Sequence, residues 1–169
     1  MKNSEYRNTS GNKHNAICIC KDTEYYVLIT DYISEESPLT CGRCNLKVPL
    51  HQLPNYTDKD CTSIKRWVQN YKACDTLQMN SDVGEEWALN QMQNIDSSLS
   101  KQGLNICRVV EQKTKIPTYY YLHNYNHIKT NTAKCSTCNN PWRLEHSIHN
   151  FYAYKCNVCK VISTEPQEV

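Results

Sequence analysis

The chain has 169 residues, 11 of them cysteine, with a net charge of +2 and a mean hydropathy of −0.72. An apolar fraction of 39%, with 12 tyrosines against 3 tryptophans and 1 phenylalanine, is thin for a core that must hold one or two domains together unaided. The near-neutral charge excludes a uniformly cationic surface for nucleic acid or anionic lipid, and no run approaches the roughly 20 apolar residues of a membrane span.

The first fifteen residues are polar and carry no apolar h-region, which excludes a signal peptide and reads as a disordered tail. The expected compartment is therefore the cytoplasm, where thiols stay reduced and cysteines serve as metal ligands or packed hydrophobes. From Ala16, AICICKDTEYYVLITDY places β-formers in two short runs around a polar turn, a hairpin entering a strand over Tyr25 to Thr30. LTCGRCNLKVPL follows, with Gly42 giving the backbone freedom that a tight metal knuckle needs.

The middle third reads as three helices. The first follows Thr62 or Ser63 as N-cap, with Ile64, Trp67, Val68 and Tyr71 on one face. The second begins near Ser81 or Asp82, with Glu85 and Glu86 in its first turn and Val83, Trp87, Ala88 and Met92 facing inward. The third runs from about Ser98 to Lys113, with Leu99, Ile106, Cys107 and Val110 at helical period. TYYYLHNY after Pro117 has strand character, NHIKTNTAK reads as a polar loop, and STEPQEV at the end reads as frayed. The expected fold is α+β: small zinc-stabilised β units at both ends bracketing a three-helix middle, the last unit a zinc ribbon. In residues, the division is a tail over 1–15, a zinc-knuckle β unit over 16–60, a helical segment over 61–116, a strand plus ribbon over 117–163, and a tail over 164–169.

Zinc takes a tetrahedron of thiolates and imidazoles, and two facing CxxC knuckles supply four sulfurs without strain. KCSTC and KCNVC stand seventeen residues apart, inside the ribbon window, so Cys135, Cys138, Cys156 and Cys159 form one candidate site. A redox pair or disulfides are the competing readings of such spacing. Cys18, Cys20, Cys41 and Cys44, a CxC and a CxxC, form a second candidate site, against two separate pairs of buried thiols; His51 is a possible substitute ligand. Both sites would be coordinatively closed and structural. Cys61, Cys74 and Cys107 lie on or beside apolar helical faces and read as core, and His146 and His149 read as polar residues of the ribbon hairpin.

Residues 115–160 carry six Lys/Arg against Glu145 alone. Lys134, Arg143, Lys155 and Lys160, with Trp142 beside them, are the residues this excess offers to phosphates and unpaired bases, although an acidic protein partner fits equally well.

These stretches together, SPLTCGRCNLKVPLHQLP, NYKACDTLQMNSDVGEEWALNQM, SKQGLNIC, PTYYYLHNY and KCSTCNNPWRLEHSIHNFYAYKCNVCKVIS, resemble a bacterial family of zinc-ribbon-containing proteins associated by name with nucleic-acid binding. The resemblance covers residues 17 to 163 and implies the same eight cysteine ligands, with zinc in two sites. It also implies that typical members are longer, with an N-terminal region before the part shared here. Three functions follow as expectations: a non-enzymatic module binding nucleic acid through the basic ribbon, an immunity protein neutralising a cognate toxin, and, least favoured, a nucleic-acid-processing enzyme using Asp75, Glu85 and Glu86.

Overall fold

A computed structural model describes residues 17–80, 83–124 and 133–166. Six strands form one sheet, β1 (Tyr26–Leu28), β2 (Leu39–Cys41), β3 (Thr118–Tyr121), β4 (Arg143–Ile148), β5 (Tyr152–Cys156) and β6 (Val161–Thr164), in the order β2-β1-β3-β6-β5-β4. The helices α1 (Asp58–Asn80), α2 (Glu85–Gln93) and α3 (Ser98–Thr114) are inserted between β2 and β3. The fold is α+β, with strands and a cysteine cluster toward each end of the chain and helices in the middle. The strands of the two ends are neighbours: β1 runs parallel to β3, and β3 runs parallel to β6.

Five of the six strands are buried on both sides, β4 at the sheet edge being largely exposed, and the alternation of side chains across a strand shows how. Tyr26, Leu28, Tyr120 and Val161 face the helices, where they meet Ile64, Trp67, Tyr71, Met92, Leu99 and Val110. Tyr25, Val27, Tyr119, Tyr121, Tyr152 and Ile162 form a second cluster on the opposite face, with Ile148 of β4 packed against it. Tyrosine thus does the work that leucine and phenylalanine do in a richer core, since each ring brings the apolar area of a large side chain.

Several expectations are corrected. The strand over Tyr25 to Thr30 contracts to Tyr26–Leu28, and its antiparallel partner is β2, not the run at Cys18. That run touches the fold through an isolated bridge, Ile17 to Lys47, because its cysteines are drawn toward the cluster described below. Helix α1 starts at Asp58, four to five residues before the expected caps. The Thr57 N–H donates to Asp60 Oδ2 at 2.9 Å and the Asp60 N–H returns to the Thr57 hydroxyl oxygen at 3.4 Å, a reciprocal cap with aspartate where glutamate is usual. Thr62 and Ser63 instead return their hydroxyls to Asp58 O and Lys59 O inside the helix. Helix α2 starts after Gly84, in the left-handed region at φ 84°, and Val83 and Trp87 are exposed rather than inward, leaving burial to Ala88, Leu89 and Met92. Ser81 and Asp82 lie outside the described residues, as do the proposed N-terminal tail and most of the NHIKTNTAK loop.

The start of STEPQEV is not frayed. Ser163 and Thr164 end β6, a central strand between β3 and β5, all four of whose residues are buried. Its polar side chains hid it from periodicity, but Ser163 Oγ donates to Leu122 O at 2.7 Å and so is buried without an unsatisfied group.

Candidate metal centres

The register places both cysteine clusters at one end of the sheet. Cys41, the last residue of β2, lies opposite Tyr26 at the start of β1; Tyr26 lies beside Thr118 at the start of β3; and Cys156, the last residue of β5, lies opposite Val161 at the start of β6. Strands are spaced about 4.8 Å, so the β1 and β6 axes that flank β3 stand about 10 Å apart.

In the first centre Cys18, Cys20, Cys41 and Cys44 bring their sulfurs within 4.8 Å of one another. Cys18 is fixed by its N–H to Lys47 O at 2.9 Å, and the Cys41–Cys44 turn closes with Cys41 N–H to Leu46 O and Asn45 N–H to Cys41 O, both 2.9 Å. In the second centre the sulfurs of Cys135, Cys138, Cys156 and Cys159 meet the same 4.8 Å limit. Its first knuckle repeats the geometry, Cys135 N–H to Asn140 O and Asn139 N–H to Cys135 O, again both 2.9 Å. Each CxxC turn is followed by a residue in the left-handed region: Asn45 at φ 58°, Asn139 at 57° and Lys160 at 56°. That conformation turns the chain immediately beyond the second cysteine.

The sulfur separations fit a tetrahedral ion. A Zn–S bond of about 2.3 Å implies an edge of about 3.8 Å; Cys135 and Cys159 stand 3.8 Å apart and Cys138 and Cys156 3.4 Å. Four cysteines fill a tetrahedron and leave no open position, so each group has the donor set of a structural metal site. The thiols are also unequal. Burial pushes Cys41 up, but the Thr23 hydroxyl and the N–H groups of Cys44 and Arg43 overcome it and bring this thiol down to about 7. Burial, first of several causes, pushes Cys18 up to about 12. In the second centre the N–H of Asn140 and neighbouring thiols bring Cys138 down to about 7, while burial raises Cys156 and Cys159. Cys41 and Cys138 are thus poised to lose their protons, and a metal must displace those of Cys18, Cys156 and Cys159.

The remaining sequence candidates fall elsewhere. His51 is exposed on a short 3-10 turn, Leu50–Gln52, outside both groups. Cys74 and Cys107 are buried and Cys61 is partly buried; burial raises the Cys107 thiol well above its ordinary range. His146 is exposed on β4, whereas His149 Nε2 donates to Gly42 O at 2.8 Å, tying the ribbon hairpin to the other knuckle. Gly42 itself is not in the left-handed region. It is small because the Tyr25 ring lies against it where a β-carbon would stand, a reason that no local pattern could disclose.

Three of the four basic residues are occupied within the molecule. Arg143 Nη2 reaches Glu165 Oε1 at 2.6 Å and its Nη1 donates to the Tyr154 hydroxyl at 3.0 Å. Lys155 Nζ lies 3.8 Å from the Tyr25 ring centroid, and Lys160 pairs with Glu111 at 3.2 Å. Lys134 is exposed, and Trp142 packs on Tyr154 with ring centroids 5.0 Å apart. Asp75, one of the acidic candidates, is buried and accepts the Tyr32 N–H at 2.8 Å, while Glu85 and Glu86 are exposed in the first turn of α2. No helix among the described residues is long and apolar enough to cross a membrane.

Two family models match the chain. Residues 20–123 match the family described as a domain of unknown function, DUF2310, and residues 126–165 match a second, DUF8594. Two relatives from Haemophilus influenzae, both bearing the name "Uncharacterized protein", are 34% identical over 143 residues; the match covers 82% of this chain, 70% of one relative and 54% of the other. No solved structure matches. A family model spanning more than half of the chain, together with relatives of this similarity, shows that the chain belongs to the DUF2310 family.

Proposed function

We propose that this protein is a non-enzymatic binding module, stapled by two structural zinc ions, whose partner is another protein. The observation that carries the reading is the pair of four-thiol centres, each with its sulfurs within 4.8 Å of one another and the second with separations near a tetrahedral edge. A closed site offers no position for a catalytic water or a substrate oxygen. The acidic residues suggested for chemistry support the same reading, because Asp75 is spent on holding the loop at Tyr32 and the glutamates sit where a helix N-terminus stabilises them.

A protein partner is favoured over nucleic acid by where the charges go. Arg143, Lys155 and Lys160 each have intramolecular partners, so phosphate binding through them would first have to break those contacts. Trp87, by contrast, is 58% exposed at the lip of a groove of about 350 Å³ between the helices, and tryptophan is enriched at the centre of protein interfaces. The test has two arms. Elemental analysis of the purified chain should find two zinc ions, and oligonucleotides at low ionic strength should show no binding. Salt-sensitive oligonucleotide binding that falls with Arg143→Gln or Lys134→Gln would overturn the protein-partner reading; catalytic turnover lost with Glu86→Gln would overturn the non-enzymatic one.

A further inference from the structure

Between the two metal centres stands a group of side chains belonging to neither. Tyr25 O accepts the Gly42 N–H at 2.8 Å, and the Tyr25 ring fills the space beside Gly42, so this tyrosine is keyed to the Cys41–Cys44 turn. Lys155, next to the ligand Cys156, holds its Nζ 3.8 Å from the Tyr25 ring centroid and 4.5 Å from that of Tyr119. The two rings meet edge to face at 5.6 Å, and the Tyr119 hydroxyl donates at 2.7 Å to Oδ1 of Asn157, inside the Cys156–Cys159 turn. Tyr25 and Tyr119 are both buried. Each turn therefore touches the same aromatic pair, and one ammonium is shared between the rings.

We propose that Tyr25, Lys155 and Tyr119 couple the two centres into one cooperative unit, so that zinc in either raises the affinity of the other. The inference rests on the zinc reading above. A CxxC turn closed on its metal fixes Gly42, and with it the place of the Tyr25 ring; that ring holds Lys155, and Lys155 sets the strand end from which Cys156 points. The second metal then meets a turn already ordered and pays less of the ordering entropy. Thermodynamic linkage makes the effect reciprocal. A cation between two desolvated rings is a short-range, orientation-dependent contact, which suits it to pass on a change of position.

Native mass spectrometry of the full chain, stripped by chelator to half of its zinc, reads the coupling directly. Independent sites make the one-zinc form the most populated species. Coupling makes it a minority in the wild type, with empty and two-zinc chains dominating, and Tyr25→Leu restores it as the majority. Lys155→Met, which keeps the aliphatic stem and removes the ammonium, should do the same and serves if the leucine variant does not fold; Tyr25→Phe keeps the ring and should behave as wild type. A one-zinc majority in the wild type, or a minority that neither Tyr25→Leu nor Lys155→Met changes, overturns the coupling. A purified chain that carries no zinc overturns the metal reading instead.

Discussion

Single residues set the shape of the metal turns. Asn45 and Asn139 hold φ near +57° because their short polar side chains tolerate the left-handed region, where an ordinary L-residue costs about 1–2 kcal/mol. Asn45→Ala and Asn139→Ala should therefore each lose about 1 kcal/mol in urea unfolding of the metal-loaded protein, whereas the glycine variants should lose less. Lys160 is the odd member of the set. Lys160→Gly relieves its backbone by about 1 kcal/mol and forfeits a half-exposed ion pair with Glu111 worth about 0–1 kcal/mol, so the same measurement should show it neutral or slightly more stable. Charge acts at this scale too. Lys113 and then Thr57 hold Asp60 down to about 2 from 3.8. A carboxylate lowered on folding stabilises above its unfolded pKa and loses that contribution as pH falls toward the folded one. The stability gap between wild type and Asp60→Asn should be full above pH 4 and shrink toward pH 2.

At the scale of elements, α3 lies so close to β3 that Gly103 has no room for a β-carbon, which would overlap the Tyr120 ring and stand 3.1 Å from Trp67 Nε1. Alanine is the better helix former by about 1 kcal/mol, but inserting a methyl into a filled core costs about 1–3 kcal/mol. Gly103→Ala should therefore destabilise, with the thermal midpoint as the check, against the sense of the propensity scale. The same contrast separates what was legible in the sequence from what was not. The apolar faces of α1 and α3 were legible because Ile64, Trp67, Tyr71 and Leu99, Ile106, Val110 repeat at helical period and are buried. The cysteine groupings were legible because ligand spacing is a local property. Strand β6 was not, since Ser163 and Thr164 look like loop until the carbonyl of Leu122 is brought alongside. Nor was the inward reading of Trp87, because periodicity finds an apolar stripe without saying what covers it. The links between the centres, His149 to Gly42 and Lys155 over Tyr25, join residues more than a hundred positions apart and carry no local signal.

For the whole molecule, metal and sheet depend on one another. Cys41 and Cys156 are strand residues as well as members of the two thiol groups, so with zinc bound as proposed, opening either centre would free the end of β2 or β5. Structural zinc contributes about 10–16 kcal/mol in small isolated metal domains, comparable to the 5–15 kcal/mol net stability of a whole globular protein. Excess chelator should therefore abolish the cooperative thermal transition followed by near-ultraviolet circular dichroism, where the buried tyrosines report packing, and zinc should restore it. Acid should act in the same direction, because protons compete for the thiolates.

The position of β6 sets a timetable for synthesis. A chain emerging from the ribosome can form α1, α2 and α3 from neighbours in sequence, but β3 must wait with one edge unpaired until residues 161–164 appear and slot between it and β5. Until then an aromatic edge of the sheet lies open and the Cys156–Cys159 half of the second centre does not exist. That edge is exposed to wrong partners while residues 122–160 are made, and completion of the second thiol group and closure of the sheet then fall together, within residues 156–164.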